Sequence, residues 1–248
     1  MELGIEGRWA AVAGASAGLG LGVARALVAE GARVIVCSRD AARIEAAAAE
    51  LGPLAVPVVA DIASAEGAEA FVAEALQRAG GRIDILIANG GGPPPGRAVD
   101  ADPQLVREWI DRTLFSYMAM VRAALPGMRE AGWGRIVAIT TVGVREPLPA
   151  MVYSNIARTG ITAYLKQLSR EVIADGVTVN SMLPNSHLTE RLKKLIPDLD
   201  TYQASLPAGR AGSADDFGRI AAFLCSEHAN FLTGVALPVD GGMGTTLA

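Results

Sequence analysis

A tyrosine near the start of a predicted helix is the first candidate for chemistry in this chain. Tyr153 lies in the stretch VYSNIARTG at residues 152–160. Its phenol can hand a proton to a carbonyl oxygen, but a free phenol has a pKa of about 10 and needs a nearby cation to act as an acid at neutral pH. One helical turn later, where a cation would act on it, the chain has Ala157. The stretch therefore predicts either an enzyme that obtains its proton differently or a protein that binds without catalysing.

Three other side chains near this stretch carry charge or protons. Around a helix, position 158 lies about 140° from position 153, whereas position 157 lies about 40° away. We therefore expect Arg158 in an interface or a surface salt bridge rather than beside the phenol. Arg145 either lines the pocket or caps a loop. His187, in PNSHLTERL, either donates a proton near neutral pH or packs without a chemical role.

A glycine-rich turn, GASAGLG at residues 14–20, follows a short apolar run and opens a helical pattern. Gly14, Gly18 and Gly20 allow a tight turn, close approach of a pyrophosphate and close packing of the helix. Their spacing, G-x-x-x-G-x-G, differs from the G-x-G-x-x-G of two-domain dehydrogenases. Because a predicted strand precedes the turn and a predicted helix follows it, the stretch predicts dinucleotide binding rather than a tight turn alone.

Short apolar runs alternate with longer helix-period segments along the whole chain. The predicted strands are 9–14, 33–38, 54–60, 83–89, 134–140, 177–183 and 235–240, and the predicted helices are 18–30, 41–51, 64–79, 102–130, 151–174 and 214–227. Strands that are apolar nearly throughout are typical of a sheet buried on both faces. We predict an α/β fold in a single domain, a Rossmann-type doubly wound parallel sheet of about seven strands whose ligands bind beyond the carboxyl ends of the strands.

The composition excludes several classes of protein. The 248 residues are 51% hydrophobic and 19% charged, which excludes a disordered or fibrous chain. A net charge of −4 gives no general attraction to nucleic acid or acidic membranes. No secretory signal or membrane span is predicted, and Cys37 and Cys225 show no metal spacing. We expect a cytoplasmic protein with two reduced thiols, no bound metal, and neither nucleic acid nor membrane as a partner.

The glycine-rich turn, followed by IANGG after the fourth predicted strand, resembles the short-chain dehydrogenase/reductase family. GRIVAITT, MVYSN, VTVNSMLPNSHLT, GRAGSADDFGRIAAFLCSE and FLTGVALPVDGG follow in that family's order and spacing, and they look most like its 3-oxoacyl-[acyl-carrier-protein]-reductase-like branch. The resemblance covers residues 1–248 as one dinucleotide-binding domain, with a substrate loop at about 186–212. It implies NAD or NADP as the cofactor and a homo-oligomer, either a dimer or a tetramer.

The resemblance also assigns cofactor-binding positions along the chain. The turn residues are Gly14, Ser16, Ala17, Gly18, Leu19 and Gly20; Ser38 and Arg39 end the second strand; Asp61 and Ile62 flank the adenine; Asn89 and Gly90 lie along the adenosine ribose; and Thr189 holds the nicotinamide carboxamide. At the end of the second strand an acidic residue would select NAD, whereas Arg39 offers a fork-shaped cation that suits the 2′-phosphate of NADP. Asp40, next along the chain, keeps NAD possible.

The family's catalytic asparagine, serine, tyrosine and lysine map to Thr113, Thr141, Tyr153 and Ala157. Thr141 keeps a hydroxyl that can hold a substrate oxygen, but Ala157 neither acidifies Tyr153 nor binds the nicotinamide ribose. Two of the four positions have therefore lost the family's groups together, which predicts an atypical active site.

Two functions follow from these residues. The first is an NADPH-dependent reductase of a carbonyl on a small-molecule or acyl-chain substrate, a ketone or 3-oxoacyl compound, with Thr141 holding the oxygen and Tyr153 donating the proton. The alternative is a catalytically silent NAD(P)-binding regulatory or structural subunit. A lyase or isomerase using the same pocket is a third possibility.

Overall fold

Seven parallel strands form the centre of the molecule. The computed structural model describes residues 2–246. The strands are β1 (Trp9–Val12), β2 (Arg33–Ser38), β3 (Ala55–Val59), β4 (Ile85–Ala88), β5 (Gly134–Ile139), β6 (Val177–Pro184) and β7 (Ala236–Val239). They lie in the order β3-β2-β1-β4-β5-β6-β7. The strand order reverses between β1 and β4, which is the switch point where doubly wound sheets bind their ligands.

Helices cover both faces of this sheet. They are α1 (Gly18–Ala29), α2 (Ala41–Leu51), α3 (Ala65–Arg78), α4 (Pro103–Trp109), α5 (Ser116–Glu130), α6 (Val152–Val172), α7 (Glu190–Leu195), α8 (Leu199–Ser205) and α9 (Ala214–Leu224). The arrangement confirms the predicted α/β doubly wound fold. No helix within residues 2–246 is long and apolar enough to cross a membrane.

The central strands are apolar because both of their faces are covered. Val12 pairs in register with Val36 on one side and with Ile87 on the other, and all three side chains join one hydrophobic core. The neighbouring residues Ile35 and Leu86 point to the opposite face and join the second core. Successive side chains in a strand alternate between faces, and both faces are buried here, so the buried positions of β1, β2 and β4 are apolar. Truncating a fully buried isoleucine such as Ile35 to alanine costs about 2–5 kcal/mol of stability.

The region predicted as one helix at 102–130 differs in the structure. It is divided into α4 and α5 by a π-helical turn at Ile110–Phe115. The apolar periodicity continues through the turn, so the change in winding could not be predicted from the pattern of apolar residues. A π turn inside a helix often lies beside a functional site, and this one carries the buried Thr113.

The predicted substrate loop at 186–212 is also partly helical, since it contains α7 and α8. Thr189 and Asp198 cap these two helices by accepting hydrogen bonds from backbone amides. Both helices are short, which explains why their mixed polar and apolar letters resembled a loop.

Candidate functional site

The glycine-rich turn joins β1 to α1 at the carboxyl end of the sheet. Gly14 has a φ of 58° and Gly18 a φ of 60°, both in the left-handed region that favours glycine. A Cβ on Gly20 would stand 2.4 Å from the carbonyl oxygen of Gly14 and 2.7 Å from Nδ2 of Asn89. No side chain fits at that distance, so each of the three glycines is required by the local geometry.

The amino end of α1 is left open by the sequence. Ser16 and Ala17 lead into the helix, and Ala17 takes the N-cap position in an extended conformation without a side-chain hydrogen bond. Within the described residues, no acidic side chain stands in the first turn of α1. By contrast, Asp40 caps α2 and Ser213 caps α9. Uncapped amides at a helix amino end attract anions, so the residues present fit the pyrophosphate of a dinucleotide.

Asn89 ties the end of β4 to this turn. Its Nδ2 donates hydrogen bonds to the carbonyl oxygens of Ala13, at 3.1 Å, and Gly14, at 3.0 Å. Gly90 follows it and packs beside Ile62 and Tyr117. The structure therefore places the side chain of Asn89 in support of the glycine turn and leaves Gly90 at the adjacent surface.

At the end of β2, the two residues that bear on cofactor choice, Arg39 and Asp40, have different surroundings. Asp40 accepts a hydrogen bond from the Arg43 amide at 3.0 Å and so serves as the cap of α2. Ser38 accepts a hydrogen bond from the Asp40 amide at 3.3 Å. Arg39 is exposed. At the end of β3, Asp61 accepts a hydrogen bond from the Ala63 amide at 3.0 Å and turns the chain there.

Thr141 stands directly after β5, at the same end of the sheet. It is buried, and its Oγ1 accepts a hydrogen bond from the Gly143 amide at 3.2 Å. This bond caps a short 3₁₀ turn at Val142–Val144. The hydroxyl proton is not used by that bond, so it remains able to donate to a substrate oxygen.

Tyr153 lies in the first turn of α6 and faces the loop that follows β4. Its ring fills the space where a Cβ on Gly96 would lie, 2.4 Å from the ring edge. Its hydroxyl oxygen accepts a hydrogen bond from the Asp102 amide at 3.1 Å. Because a phenol can accept and donate at once, the Tyr153 proton is still free to be given away. Ala157 is buried on the same face of α6, as expected.

The expectation for Arg158 was wrong. Arg158 is 7% exposed, and its Nη1 donates to the carbonyl oxygens of Ile139 at 2.7 Å and Thr140 at 2.9 Å. It therefore lies inside the molecule at the end of β5, not at the surface. Position 158 does lie about 140° around the helix from Tyr153, but the face of α6 that is turned toward the sheet carries Ser154 and Arg158.

The face of α6 that is turned toward the sheet begins one residue later. Ser154, Arg158, Ile161 and Leu165 follow at helical spacing, and all four are buried. Ser154 lies one helical turn before Arg158, so the two share a face of α6. Tyr153 and Ala157 have the same spacing on the adjacent face. The apolar residues that continue this face were visible in the sequence and were the signal that could have identified Arg158.

Tyr117 is a further buried group near the site that the sequence did not indicate. It stands one helical turn after Thr113, and it is 1% exposed. Its hydroxyl has no hydrogen-bond partner among residues 2–246. Burial raises the pKa of the Tyr117 phenol, and the positive charge of Arg158 opposes that rise, which places the guanidinium close to the ring.

The start of the substrate loop lies across the glycine turn. The Cγ2 of Thr189 comes within 3.5 Å of a Cβ position on Gly18. Two residues later, Arg191 donates from Nη1 to the carbonyl of Gly92 at 2.9 Å and from Nη2 to the carbonyl of Pro93 at 2.7 Å. These contacts join the loop after β6 to the loop after β4 over the predicted nicotinamide position.

The remaining candidates pack without entering the site. Arg145 is exposed and donates from Nη2 to the Ala236 carbonyl at 2.6 Å, so it caps the start of β7. His187 is buried with its ring edge-on to Phe217 at a centroid distance of 5.0 Å. Burial lowers the pKa of His187 and so disfavours the charged form of its ring. Within the described residues, no cluster of three or more potential ligand side chains could hold a metal ion.

Known proteins resemble this chain over nearly its whole length. A family model described as Enoyl-(Acyl carrier protein) reductase matches residues 14–244. The 3-oxoacyl-[acyl-carrier-protein] reductase of Haemophilus influenzae is 31% identical over 247 residues, which are 96% of this chain and 99% of that protein.

Solved structures agree with this similarity. The L-sorbose reductase of Gluconobacter frateurii, in complex with NADPH and L-sorbose, has a TM-score of 0.93 at 30% identity, and the match covers 100% of both chains. The 3-ketoacyl-(acyl-carrier-protein) reductase of Brucella melitensis, in complex with NADH, has a TM-score of 0.88 at 31% identity and covers 96% of this chain and 98% of that chain. The molecule is therefore similar in sequence and in fold to reductases, and both of these solved relatives hold a nicotinamide cofactor.

Proposed function

The chain belongs to the short-chain dehydrogenase/reductase family, and on that premise we propose that it is an NADP(H)-dependent oxidoreductase. Its reaction is the reduction of a carbonyl group on a ketone or 3-oxoacyl-type substrate. The observation that carries this proposal is the cofactor cradle at the carboxyl end of the sheet. There, a Cβ on Gly20 would stand 2.4 Å from the Gly14 carbonyl, and α1 begins without a side-chain cap.

The choice of NADP follows from the end of β2. The carboxylate of Asp40 is engaged with the Arg43 amide, so it is held as a helix cap. Arg39 is exposed beside it and can reach outward to a 2′-phosphate. A guanidinium forms charge-assisted, often paired, hydrogen bonds with phosphate, which favours NADP over NAD.

The site residues divide the chemistry between them. A nicotinamide held in this cradle would supply a hydride to the carbonyl carbon, and the carbonyl electron pair would move to the oxygen. Thr141 donates a hydrogen bond to that oxygen, and Tyr153 gives it the proton that completes the alcohol. Thr189, at the start of the substrate loop, holds the carboxamide. The contact from Arg191 to the loop after β4 closes this space against water.

A second candidate function is a silent NAD(P)-binding subunit. Two observations favour it: Ala157 offers no charge, and the Tyr153 hydroxyl already accepts a bond from the Asp102 amide. We rank it second, because proton transfer contributes about 10²–10⁴-fold of a typical rate enhancement, while orientation of the carbonyl and the hydride donor accounts for much of the rest.

One assay separates the two functions. NADPH affinity is measured first by fluorescence titration. Loss of nicotinamide absorbance is then followed with a panel of ketones, sugar ketoses and 3-oxoacyl thioesters. Turnover of any panel member supports the reductase. Micromolar NADPH affinity with no turnover across the panel supports the silent subunit, and absence of binding of both NADPH and NADH contradicts both functions.

We also propose that the protein is a cytoplasmic homo-oligomer. Phe115 and Ile156 are large apolar side chains left 47% and 43% exposed. A groove of about 1100 Å³ runs along α5 and is also lined by Tyr164 of α6. A second copy of the chain would cover these surfaces. The buried free thiols, Cys37 and Cys225, are consistent with a reducing compartment.

Light scattering at micromolar concentration tests the assembly. We expect a species of at least twice 25.6 kDa. Phe115→Glu should shift it toward the single chain, since burying an unpaired carboxylate is costly. Val59→Glu, on the edge strand β3, is the matched control and should leave the size unchanged. A wild-type species of one chain only would contradict the proposal.

A further inference from the structure

Arg158 is a buried cation placed directly behind Thr141. Its Nη1 donates to the carbonyl oxygens of Ile139 and Thr140, which are the two residues that precede Thr141. Any movement of this guanidinium would therefore displace the backbone that carries the Thr141 hydroxyl. The Thr140 carbonyl that Arg158 binds belongs to the peptide unit that joins Thr140 to Thr141.

The charge of Arg158 is not neutralised by a neighbour. Among the ion pairs formed by residues 2–246, none includes Arg158. A buried charge is normally paired, because leaving it without a counter-charge is costly. The groups around this guanidinium are the two backbone carbonyls, the Tyr117 phenol and a second cation, Arg191, and none of them cancels its positive charge.

An uncancelled buried cation is useful where negative charge develops during a reaction. When hydride adds to a carbonyl carbon, the electron pair moves to the oxygen, which becomes negative until a proton arrives. Fixed positive charge at this place stabilises that oxygen more than it stabilises the neutral ketone. The carboxyl end of β5 is where the Thr141 hydroxyl would hold this oxygen.

We propose that Arg158 is the positioning residue of the reaction, and that it replaces the missing lysine from the other face of α6. It holds the Ile139 and Thr140 carbonyls so that Thr141 presents its hydroxyl, and its charge stabilises the developing oxyanion. Arg158 does not transfer a proton, since its guanidinium stays charged. The inference rests on the proposed reductase function.

The structure offers a matched control at the opposite end of the same strand. Arg135 is also buried, and it also binds backbone carbonyls, those of Gly134 at 2.8 Å and Ser226 at 3.1 Å. Its loss should reduce stability without a specific effect on turnover. Comparing Arg135→Gln with Arg158→Gln therefore separates a structural arginine from a functional one.

The experiment measures kcat, KM and NADPH affinity for Arg158→Lys, Arg158→Gln and Arg135→Gln, each corrected for the folded fraction. We expect Arg158→Gln to lose about 100-fold in kcat, as removal of an oxyanion-stabilising group does. Arg158→Lys keeps the charge and should stay within about 10-fold of the wild type. KM and NADPH affinity should change little in both, and kcat of Arg135→Gln should equal that of the wild type.

A second variant, Arg158→Ala, tests the charge directly. Guanidinium ion added at millimolar concentration should restore part of its kcat in a saturable way and should not affect Arg135→Ala. Equal kcat values for Arg158→Lys and Arg158→Gln would overturn the proposal. So would failure of both variants to fold, because Arg158 would then serve the fold alone. If the wild-type protein binds NADPH but reduces no carbonyl, the proposed reductase function is wrong. The role of Arg158 inferred from it is then wrong as well.

Discussion

The two ends of strand β5 each hold a buried arginine, and their surroundings differ. At the amino end, the guanidinium of Arg135 stacks on Trp133, with 4.1 Å between the guanidinium carbon and the ring centroid. The same guanidinium donates hydrogen bonds from Nη1 to the Gly134 carbonyl and from Nε to the Ser226 carbonyl. At the carboxyl end, Arg158 reaches two carbonyls of its own strand end and has no aromatic ring stacked on it among the residues described.

The same contrast holds for polar atoms that lack a partner. In the described part of the chain, the buried side-chain atoms without a hydrogen bond are Tyr117 Oη, Asn155 Oδ1, His187 Nδ1 and Thr178 Oγ1. The first three lie on elements that meet at the carboxyl end. Buried polar atoms are normally satisfied, so unsatisfied ones mark a place that is completed by something else or kept for chemistry. We infer that the amino end of the sheet serves stability and that the carboxyl end serves binding.

The largest expected effect concerns the glycine turn. Gly20→Ala should weaken NADPH binding by at least about 100-fold, because the new Cβ would meet the Gly14 carbonyl at 2.4 Å and displace the turn that receives the pyrophosphate. Gly127→Ala, on α5 toward the amino end, is the control. Its Cβ would meet only Arg82 at 3.6 Å, so NADPH affinity should not change. Fluorescence titration of both variants measures the difference. If Gly20→Ala and Gly127→Ala bind NADPH equally well, the glycine turn at the carboxyl end is not the cofactor site.

Tyr153→Phe is expected to have the next largest effect. It removes the proposed proton donor and should lower kcat by about 100-fold, with NADPH affinity within about threefold of the wild type. Tyr164→Phe, on the same helix but in the α5 groove, should keep normal turnover. Steady-state kinetics on a substrate from the panel measures both. Full activity of Tyr153→Phe would assign the proton to another source, with bound water as the next candidate.

Much of the fold could be predicted from the sequence, because periodicity reports burial. The predicted bounds of strand 33–38 and helix 41–51 agree with the structure residue for residue. Strands buried on both faces are continuous apolar runs, and such runs end sharply at turn residues. The glycine spacing likewise indicated the cofactor turn, since positive φ and close approach leave few alternatives to glycine.

The reaction end was harder to predict, because it depends on which of two buried helix faces meets the sheet. Tyr153 with Ala157 and Ser154 with Arg158 differ by one residue, or 100° of rotation. Sequence alone favoured the face that carries a phenol. In the molecule, that face packs against the loop near Gly96, and the adjacent face carries the cation to β5. Tertiary packing decides which face meets the sheet, and in the sequence only the apolar residues Ile161 and Leu165, which continue the Arg158 face, point to that outcome.

A smaller effect is expected at the edge of the carboxyl end. If Arg39 binds the 2′-phosphate of NADP, Arg39→Ala should weaken NADPH by about 10–100-fold, which corresponds to the loss of one charge-assisted contact, and leave NADH affinity unchanged. Arg43→Ala, one turn into α2, is the control. Parallel titrations with NADPH and NADH measure the ratio. Equal weakening of both cofactors would show that Arg39 does not select between them.

The smallest predicted effect compares one thiol from each end. Burial raises the pKa of Cys37 and of Cys225 to about 12, from an ordinary value of 9.0. Both thiols should therefore resist alkylation at pH 8 in the folded protein. The unfolded thiols ionise first, so the stability that protonation contributes is present below pH 9 and is lost as the pH rises toward 12.

Cofactor should change the labelling of these thiols unequally. Cys37 lies near the end of β2, and the Ala15 amide of the glycine turn donates to its carbonyl oxygen at 3.0 Å. Saturating NADPH should slow alkylation of Cys37 several-fold and leave Cys225 unchanged, because binding suppresses local opening only where it makes contact. Mass spectrometry of single-cysteine variants measures both rates. Equal protection would mean that the two ends open as one unit.

The packing of α1 against α9 also fixes when the cofactor site can form. A Cβ on Gly22 would stand 2.2 Å from the Ala214 carbonyl, and one on Gly218 would stand 2.1 Å from the Gly22 carbonyl. The helix proposed to receive the pyrophosphate is thus held in place by α9. During synthesis the amino-terminal half emerges first, but its nucleotide turn lacks this support until α9 has left the ribosome. We therefore expect NADPH to stabilise the chain in which α9 is packed on α1, and not a shorter chain that lacks α9.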